Sequence, residues 1–168
     1  STKQTTTRYW HPQKIHKEKL PNEQAYVDEL KNLLEDAVKV RMRTAYPIAS
    51  HLSGGLDSSP IAVMVAREIK KRDPDYKLPV YTWHKMPTAH DKEHFEWKRL
   101  ELVSEQENNM KIIYSDLSTK QMISTITNTN ILTNGGHIYI FEPPIRQHAS
   151  SQNIRTIFSG WGGDEFIS

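Results

Sequence analysis

Pro47-Ile48-Ala49-Ser50-His51-Leu52-Ser53-Gly54-Gly55-Leu56-Asp57-Ser58-Ser59 is the stretch that decides how this chain folds. Its opening residues are short, largely apolar and bounded by Pro47 and a glycine pair, which predicts a strand from Pro47 to Leu52. From Ser58 the period changes. Ile61, Val63, Met64, Val65 and Ile69 then give the apolar face of a helix over 58–72. Between strand and helix, Gly54 and Gly55 let the backbone turn tightly and bring its N–H groups close to a ligand. Ser53, Ser58 and Ser59 add hydroxyl donors. The helix start aims the positive end of its dipole at the same place, worth roughly 0.3–1 kcal/mol to an anion. Together these make a nest for phosphate oxygens. Asp57 in its midst would repel phosphates, so its presence implies a divalent cation between them. A plain connection with an N-cap serine is the simpler reading, but it needs neither both glycines nor the acid. No Gly-x-x-x-x-Gly-Lys-[Ser/Thr] occurs in the chain, so the nest is not of the Walker type.

The alternation of strand and helix continues outward. On the amino-terminal side, Tyr26, Val27, Leu30, Leu33, Leu34, Ala37 and Val38 recur at helical spacing, with Asn22 placed to cap a helix over 22–44. On the other side, strands are expected at Leu78–His84, Lys111–Tyr114 and Arg155–Phe158. Helices are expected at Phe95–Asn108 and Lys120–Asn130. The segment 138–152 fits neither pattern cleanly. Such a sequence predicts an α/β fold: a parallel twisted sheet with helices on both faces, Rossmann-like in class. Ser1–Leu20, polar and basic with Tyr9 and Trp10 as its large apolar pair, reads as a linker or docking arm.

Composition narrows the function. The chain has 168 residues, 22 Lys+Arg against 20 Asp+Glu, eight His and no Cys. That suits one globular domain with a real core. It removes disulfides, thiolate metal sites and cysteine nucleophiles. A net charge of +2 is too small to point to nucleic acid or a membrane surface. The longest apolar run, Ile61–Ala66, falls far short of the roughly 20 residues that span a bilayer. With no basic segment leading into an apolar one at the start, the expected compartment is the cytoplasm. Weaker signals have plain readings. His90-x-x-Glu93-His94 fits a zinc-peptidase spacing but reads as a solvated helix start. Arg67-Glu68-Ile69-Lys70-Lys71-Arg72 is a solvated basic face at a helix end rather than a nucleic-acid patch. Phe95 and Trp97 read as core, and Gly135-Gly136 as a loop.

A second motif stands about a hundred residues after the first: Ser159-Gly160-Trp161-Gly162-Gly163-Asp164-Glu165, directly after a strand. Leu52 to Ser59 resembles the PP-loop of the ATP pyrophosphatases, which cut ATP between its α- and β-phosphates. The second motif resembles the Ser-Gly-x-Gly-x-Asp-Glu of the asparagine synthetase family. Tyr9-Trp10 is similar to that family's boundary between glutaminase and synthetase domains. The resemblance implies an adenine nucleotide α-hydrolase-like fold, with ATP and Mg²⁺ as cofactors. It implies that Ser53, Gly54, Gly55, Ser58 and Ser59 cradle pyrophosphate, that Asp57 and Asp164 hold Mg²⁺ and act through it, and that Leu52, Ser159 and Gly160 line the adenosine pocket. Trp83 falls where the family places an aliphatic residue against adenine. Residues 21–168 would then be the N-terminal part of a synthetase domain, incomplete at its C-terminus, behind an arm (1–20) that follows a glutaminase domain. The expected chemistry is activation of an aspartate-type carboxylate as acyl-AMP, then attack by ammonia or an amine. Its partners are a small-molecule or peptide carboxylate, an ammonia donor in the glutaminase domain and, in assembly, a second copy as a homodimer.

Three positions depart from the family pattern. Trp161 stands where true asparagine synthetases carry glutamate. Phe141-Glu142-Pro143-Pro144 is the nearest match to the family's Asp-Glu-Pro. His84-Lys85 ends the second strand where glycine is usual. Trp161 keeps open a relative that closes lasso peptides or β-lactams with the same adenylation. A non-catalytic nucleotide-binding scaffold is the remaining alternative, and it would predict loss of Asp57 or Asp164.

Overall fold

β1 (Ile48–His51), β2 (Leu78–Thr82), β3 (Met110–Tyr114) and β4 (Thr156–Phe158) pair side by side in the order β3-β2-β1-β4, every neighbour parallel. The structure, a computed structural model, describes residues 5–14, 19–88, 95–115, 117–129 and 136–163, excepting the side chains of 12, 128–129 and 136–140. Register is set by Ser50 opposite Val80, Val80 opposite Ile112 and Ser50 opposite Phe158. The helices are α1 (Glu23–Arg41), α2 (Ser58–Arg72), α3 (Phe95–Glu107), α4 (Thr119–Thr129) and α5 (Gly136–Ser151). The α/β class and the parallel sheet expected from the alternation are therefore what the chain adopts. The four strands and four of the five helices overlap the expected segments, with ends shifted by at most three residues. Strand β2 stops at Thr82 rather than His84.

Side chains on a strand alternate between faces, and each face has its own core. Ile48, Leu52, Leu78, Val80 and Phe158 point to one side. There they meet Ala62, Val65, Ala66 and Ile69 of α2, Leu100 of α3, and Val38 and Met42 at the end of α1. Ala49 and Tyr81 point to the other side and meet Ile145 and Ala149 of α5, with Ile154 beneath. The chain runs outward from β1 to β3 and then returns past β1 to add β4. Strand order thus reverses at β1, and open α/β sheets bind ligands at the carboxyl ends of strands beside such a reversal.

Contacts divide the chain into two units, residues 1–33 and 34–168. In the first, Asn22 Oδ1 accepts the Ala25 N–H at 2.9 Å, the expected cap of α1. Tyr26, Val27, Leu30 and Leu33, the amino-terminal half of the apolar stripe, are exposed. In the second unit only Val38 of α1 is buried.

Several expectations change. Phe95 is not core: it is 57% exposed, and the Arg99 guanidinium lies over its ring. Trp97 is half-buried and donates its Nε1–H to the Lys85 carbonyl. The ambiguous segment is helix α5, with Pro143 and Pro144 inside it. His90, Glu93, His94 and Gly135 lie outside the described residues.

The basic run on α2 is paired within the protein. Lys71 and Arg72 bind Glu68, and Lys70 binds Asn108. Arg67 donates from Nε and Nη2 to the buried Glu107 carboxylate at 2.7–3.1 Å, tying α2 to α3. That bond pushes the Arg67 value up, against a smaller opposing effect of burial. Arg67 itself is half in water, so the weight lies on Glu107. Arg67→Ala strands a buried carboxylate and is expected to cost roughly 1.5–3 kcal/mol in urea denaturation. Replacing both residues with alanine should recover much of that loss.

Candidate active site

The loop after β1 is folded on its own hydroxyls. Ser58 Oγ accepts the Ser53 N–H at 3.0 Å and lies 2.8 Å from Ser53 Oγ, which in turn accepts the Gly55 N–H at 3.2 Å. Asp57 stands at the N-cap of α2 in a helical conformation, and its side chain caps no N–H. The exposed carboxylate is thereby left for something outside the helix.

The second glycine-rich turn comes down on this loop. A Cβ built on Gly160 would sit 2.6 Å from the Asp57 carbonyl oxygen and 2.5 Å from Ser58 N. One built on Gly163 would collide with the Asp57 carboxylate itself. Gly162, at φ 98°, takes a conformation that side chains disfavour. Glycines at 160 and 163 are what allow two turns, a hundred residues apart, to share one site.

Between them lies a cavity of about 220 Å³, lined from the first motif by Leu52, Ser53, Gly55, Asp57 and Ser58, and from the second by Ser159, Gly160, Trp161 and Gly162. Trp83 also lines it, so eight of the expected site residues meet there. Two do not. Gly54, at φ 81°, faces α3 instead: a Cβ on it would lie 3.0 Å from the Glu96 carbonyl oxygen and 3.2 Å from Leu100 N. Its lack of a side chain serves helix packing. Ser59 does not line the cavity either, although its Oγ is buried with no partner among the described residues. Asp164, the other expected metal ligand, lies outside the described residues. Among the described residues no cluster of three His, Asp or Glu could hold a metal by itself.

The cavity also takes His51, Tyr81 and Thr82, which the motifs did not single out. Tyr81 bonds His148 Nδ1 at 2.9 Å, and burial first, then Tyr76, pushes its phenol up to about 12, so it stays protonated. Glu142 is the larger addition. Its Oε1 accepts the Trp83 indole N–H at 3.2 Å and lies 3.3 Å from His51 Nε2; its Oε2 accepts from Arg146 Nε at 3.4 Å. The His51 and Trp83 rings sit 5.5 Å apart, and Trp83 meets Trp161 edge-on at 6.3 Å. One buried carboxylate on α5 therefore fixes the two rings that wall the cavity.

Burial pushes His51 below its ordinary value of 6.5; the Glu142 carboxylate pulls it back and the Arg146 cation lowers it further. The folded value lies below the unfolded one. Stability from neutral His51 is therefore present above about pH 6.5 and lost as pH falls through the folded value. The thermal midpoint should fall between about pH 7.5 and about pH 5, and His51→Gln should flatten that slope relative to wild type. An unchanged slope overturns the assignment.

The chain is 36% identical over 75 residues to the glutamine-hydrolyzing asparagine synthetase 1 of Saccharomyces cerevisiae, covering 45% of this chain and 13% of that protein. It is 38% identical over 66 residues to amidase chry2 of Gibberella zeae, covering 38% of this chain and 10% of that one. The chain thus spans about a tenth of the length of these curated relatives. No helix of the described residues is long and apolar enough to cross a membrane. The asparagine synthase family model matches residues 29–168, which takes in the whole sheet and both glycine-rich turns. On that match, and with both turns meeting over one cavity, the chain belongs to the asparagine synthase family.

Proposed function

We propose that this chain is the nucleotide-binding part of an ATP-dependent, carbon–nitrogen bond-forming ligase of the asparagine synthetase type. The observation that carries the reading is the meeting of the two glycine-rich turns at the carboxyl ends of β1 and β4, with Gly160 against the backbone of Asp57 and Ser58. In this reading the loop of Ser53, Gly55 and Ser58 borders the pyrophosphate of ATP, with the Ser53 and Ser58 hydroxyls on its side. Leu52, Ser159 and Gly160 border the adenosine, and the Trp83 ring serves as a platform for the base.

Mg²⁺, held by Asp57 and Asp164, would offset the charge of the leaving pyrophosphate. Asp57 suits this role because its carboxylate lines the cavity and caps nothing. In the first step a substrate carboxylate oxygen attacks the α-phosphorus, the bond to the bridging oxygen of the β-phosphate breaks, and pyrophosphate departs. In the second, ammonia or an amine attacks the acyl carbonyl and AMP leaves with its oxygen. The protein's part is positioning and charge stabilisation. In this reading ammonia comes from a glutaminase domain, a homodimer is the assembly, and the cytoplasm, where ATP is supplied, is the setting.

The test is calorimetric titration of ATP with Mg²⁺ into this chain beside Asp57→Asn and Asp164→Asn. Wild type should bind, and each substitution should weaken binding about tenfold, or about 1.4 kcal/mol. Absence of nucleotide binding, here and in any longer protein that contains the chain, overturns the reading.

Trp161 favours a second reading of the product. Its indole is half-exposed and edge-on to Trp83, and it has no carboxylate to take a proton from an incoming amine. A ring-closing relative, of the lasso-peptide or β-lactam kind, uses the same adenylation. Mass analysis separates the two, since cyclisation removes one water from a single molecule, whereas amidation of a free acid adds nitrogen.

A further inference from the structure

Trp83 stands just after β2, half-buried, with its ring on the wall of the nucleotide cavity. A half-buried indole at a strand end turns about two side-chain bonds, so its neighbours decide whether it keeps one orientation. Its ring neighbours hold it loosely. His51 is tilted at 50° with its centroid 5.5 Å away, and Trp161, itself 51% exposed, is edge-on at 6.3 Å. The directional contact is at the far end of the indole, where Nε1–H donates to Glu142 Oε1 at 3.2 Å. A bond at that end fixes both side-chain torsions at once.

Glu142 can serve as a fixed point because α5 is seated on the sheet. Ile145 and Ala149, three and seven residues further along the same helical face, are buried with Ala49 and Tyr81. The carboxylate is only 9% exposed, and both oxygens are engaged: Oε1 also lies 3.3 Å from His51 Nε2, and Oε2 accepts from Arg146 Nε at 3.4 Å. Glu142 does not itself line the nucleotide cavity, so its effect on a ligand there passes through the rings. With its N–H engaged by Glu142, Trp83 offers that ligand a ring face and no donor. Such a surface binds an aromatic base by stacking rather than by reading its edge.

We propose that Glu142 is the positioning residue for the base of the nucleotide: it holds the Trp83 ring in the orientation on which the base stacks, and so sets the share of nucleotide affinity that comes from the base rather than from the phosphates. The proposal rests on the ligase reading above, in which the phosphates lie on the glycine-rich loop and the base on Trp83. It divides the site in two. The loop is held by its own Ser53 and Ser58 hydroxyls, so loss of Glu142 leaves the phosphate seat in place.

The test compares ATP with inorganic tripolyphosphate, which carries phosphates and no base, each with Mg²⁺ and this chain. ATP is titrated by calorimetry, and tripolyphosphate is measured by its displacement of ATP. Glu142→Met, similar in length and without a carboxylate acceptor, should weaken ATP about tenfold, as loss of one base–aromatic stack does, and leave tripolyphosphate within about twofold of wild type. Glu142→Gln should restore most of the ATP affinity, because its amide oxygen can stand where Oε1 stands. Trp83→Phe keeps a ring but has no N–H for Glu142 to hold. Adding Glu142→Met to it should therefore weaken ATP clearly less than Glu142→Met does in wild type. If Glu142→Met does not fold, Trp83→Phe alone removes the same bond and should show the same split between the two ligands. Equal weakening of ATP and tripolyphosphate, an unchanged ATP affinity, or an undiminished effect of Glu142→Met beside Trp83→Phe overturns the positioning role. Wild type that binds no ATP, or from which tripolyphosphate displaces none, overturns the ligase reading instead.

Discussion

Gly160→Ala is expected to abolish nucleotide binding and to lower stability by about 1–3 kcal/mol, the range for forcing an extra methyl into a packed site. The new Cβ would meet the carbonyl of Asp57 and the nitrogen of Ser58 at 2.5–2.6 Å, where real side chains do not go. These are backbone atoms, so no rotamer relieves the clash. Either the second turn lifts away or the first turn of α2 moves, and both displace the Ser58 N–H and Oγ from the cavity they line. Gly55→Ala is the comparison. Its Cβ would meet only the Ser53 hydroxyl, at 3.2 Å, which can rotate. Urea denaturation and ATP titration of the two variants should therefore differ sharply. A Gly160→Ala protein with wild-type midpoint and affinity would show that the two turns do not form one site.

What could be read from residues alone was what local physics controls. The two glycine-rich motifs and the strands that end in them carry their signal within a dozen residues, and β1, α2 and β4 stand where that signal puts them. Helix α5 was not legible for a local reason. Pro143 and Pro144 each remove a backbone donor and crowd the preceding turn, a penalty that argues against helix. Burial of Glu142, Ile145 and Ala149 against the sheet overrides it. What Gly54 meets in space was not legible for a tertiary reason: one glycine in a phosphate-type loop looks like another until α3 is seen packed upon it. Phe95 failed through its neighbours, since helical spacing marks a face but not what covers it. The Glu142 network joins His51 of β1, Trp83 just after β2, and Glu142 and Arg146 of α5, and no pattern along the chain announces it.

That network is the place where a single truncation should matter most to the wall of the site. Glu142→Ala is expected to cost about 3 kcal/mol, because it leaves the partly buried Trp83 and His51 nitrogens without an acceptor and Arg146 without its anchor. Trp83 should become more mobile and its emission shift to the red, a change that loss of packing elsewhere would not give. Glu142→Gln keeps one acceptor and should cost less. It also carries a test of sign. The Glu142 carboxylate raises His51 while burial and Arg146 lower it. Removing that charge drops the folded value of His51 further below the unfolded one and widens the gap that acid must close. The thermal midpoint of Glu142→Gln should thus fall more steeply than wild type between about pH 7.5 and about pH 5, whereas that of His51→Gln should fall less. Opposite departures from one parent can arise only if the Glu142 charge acts on the titration of His51. Parallel departures would mean that Glu142 holds the wall by packing, with its charge idle.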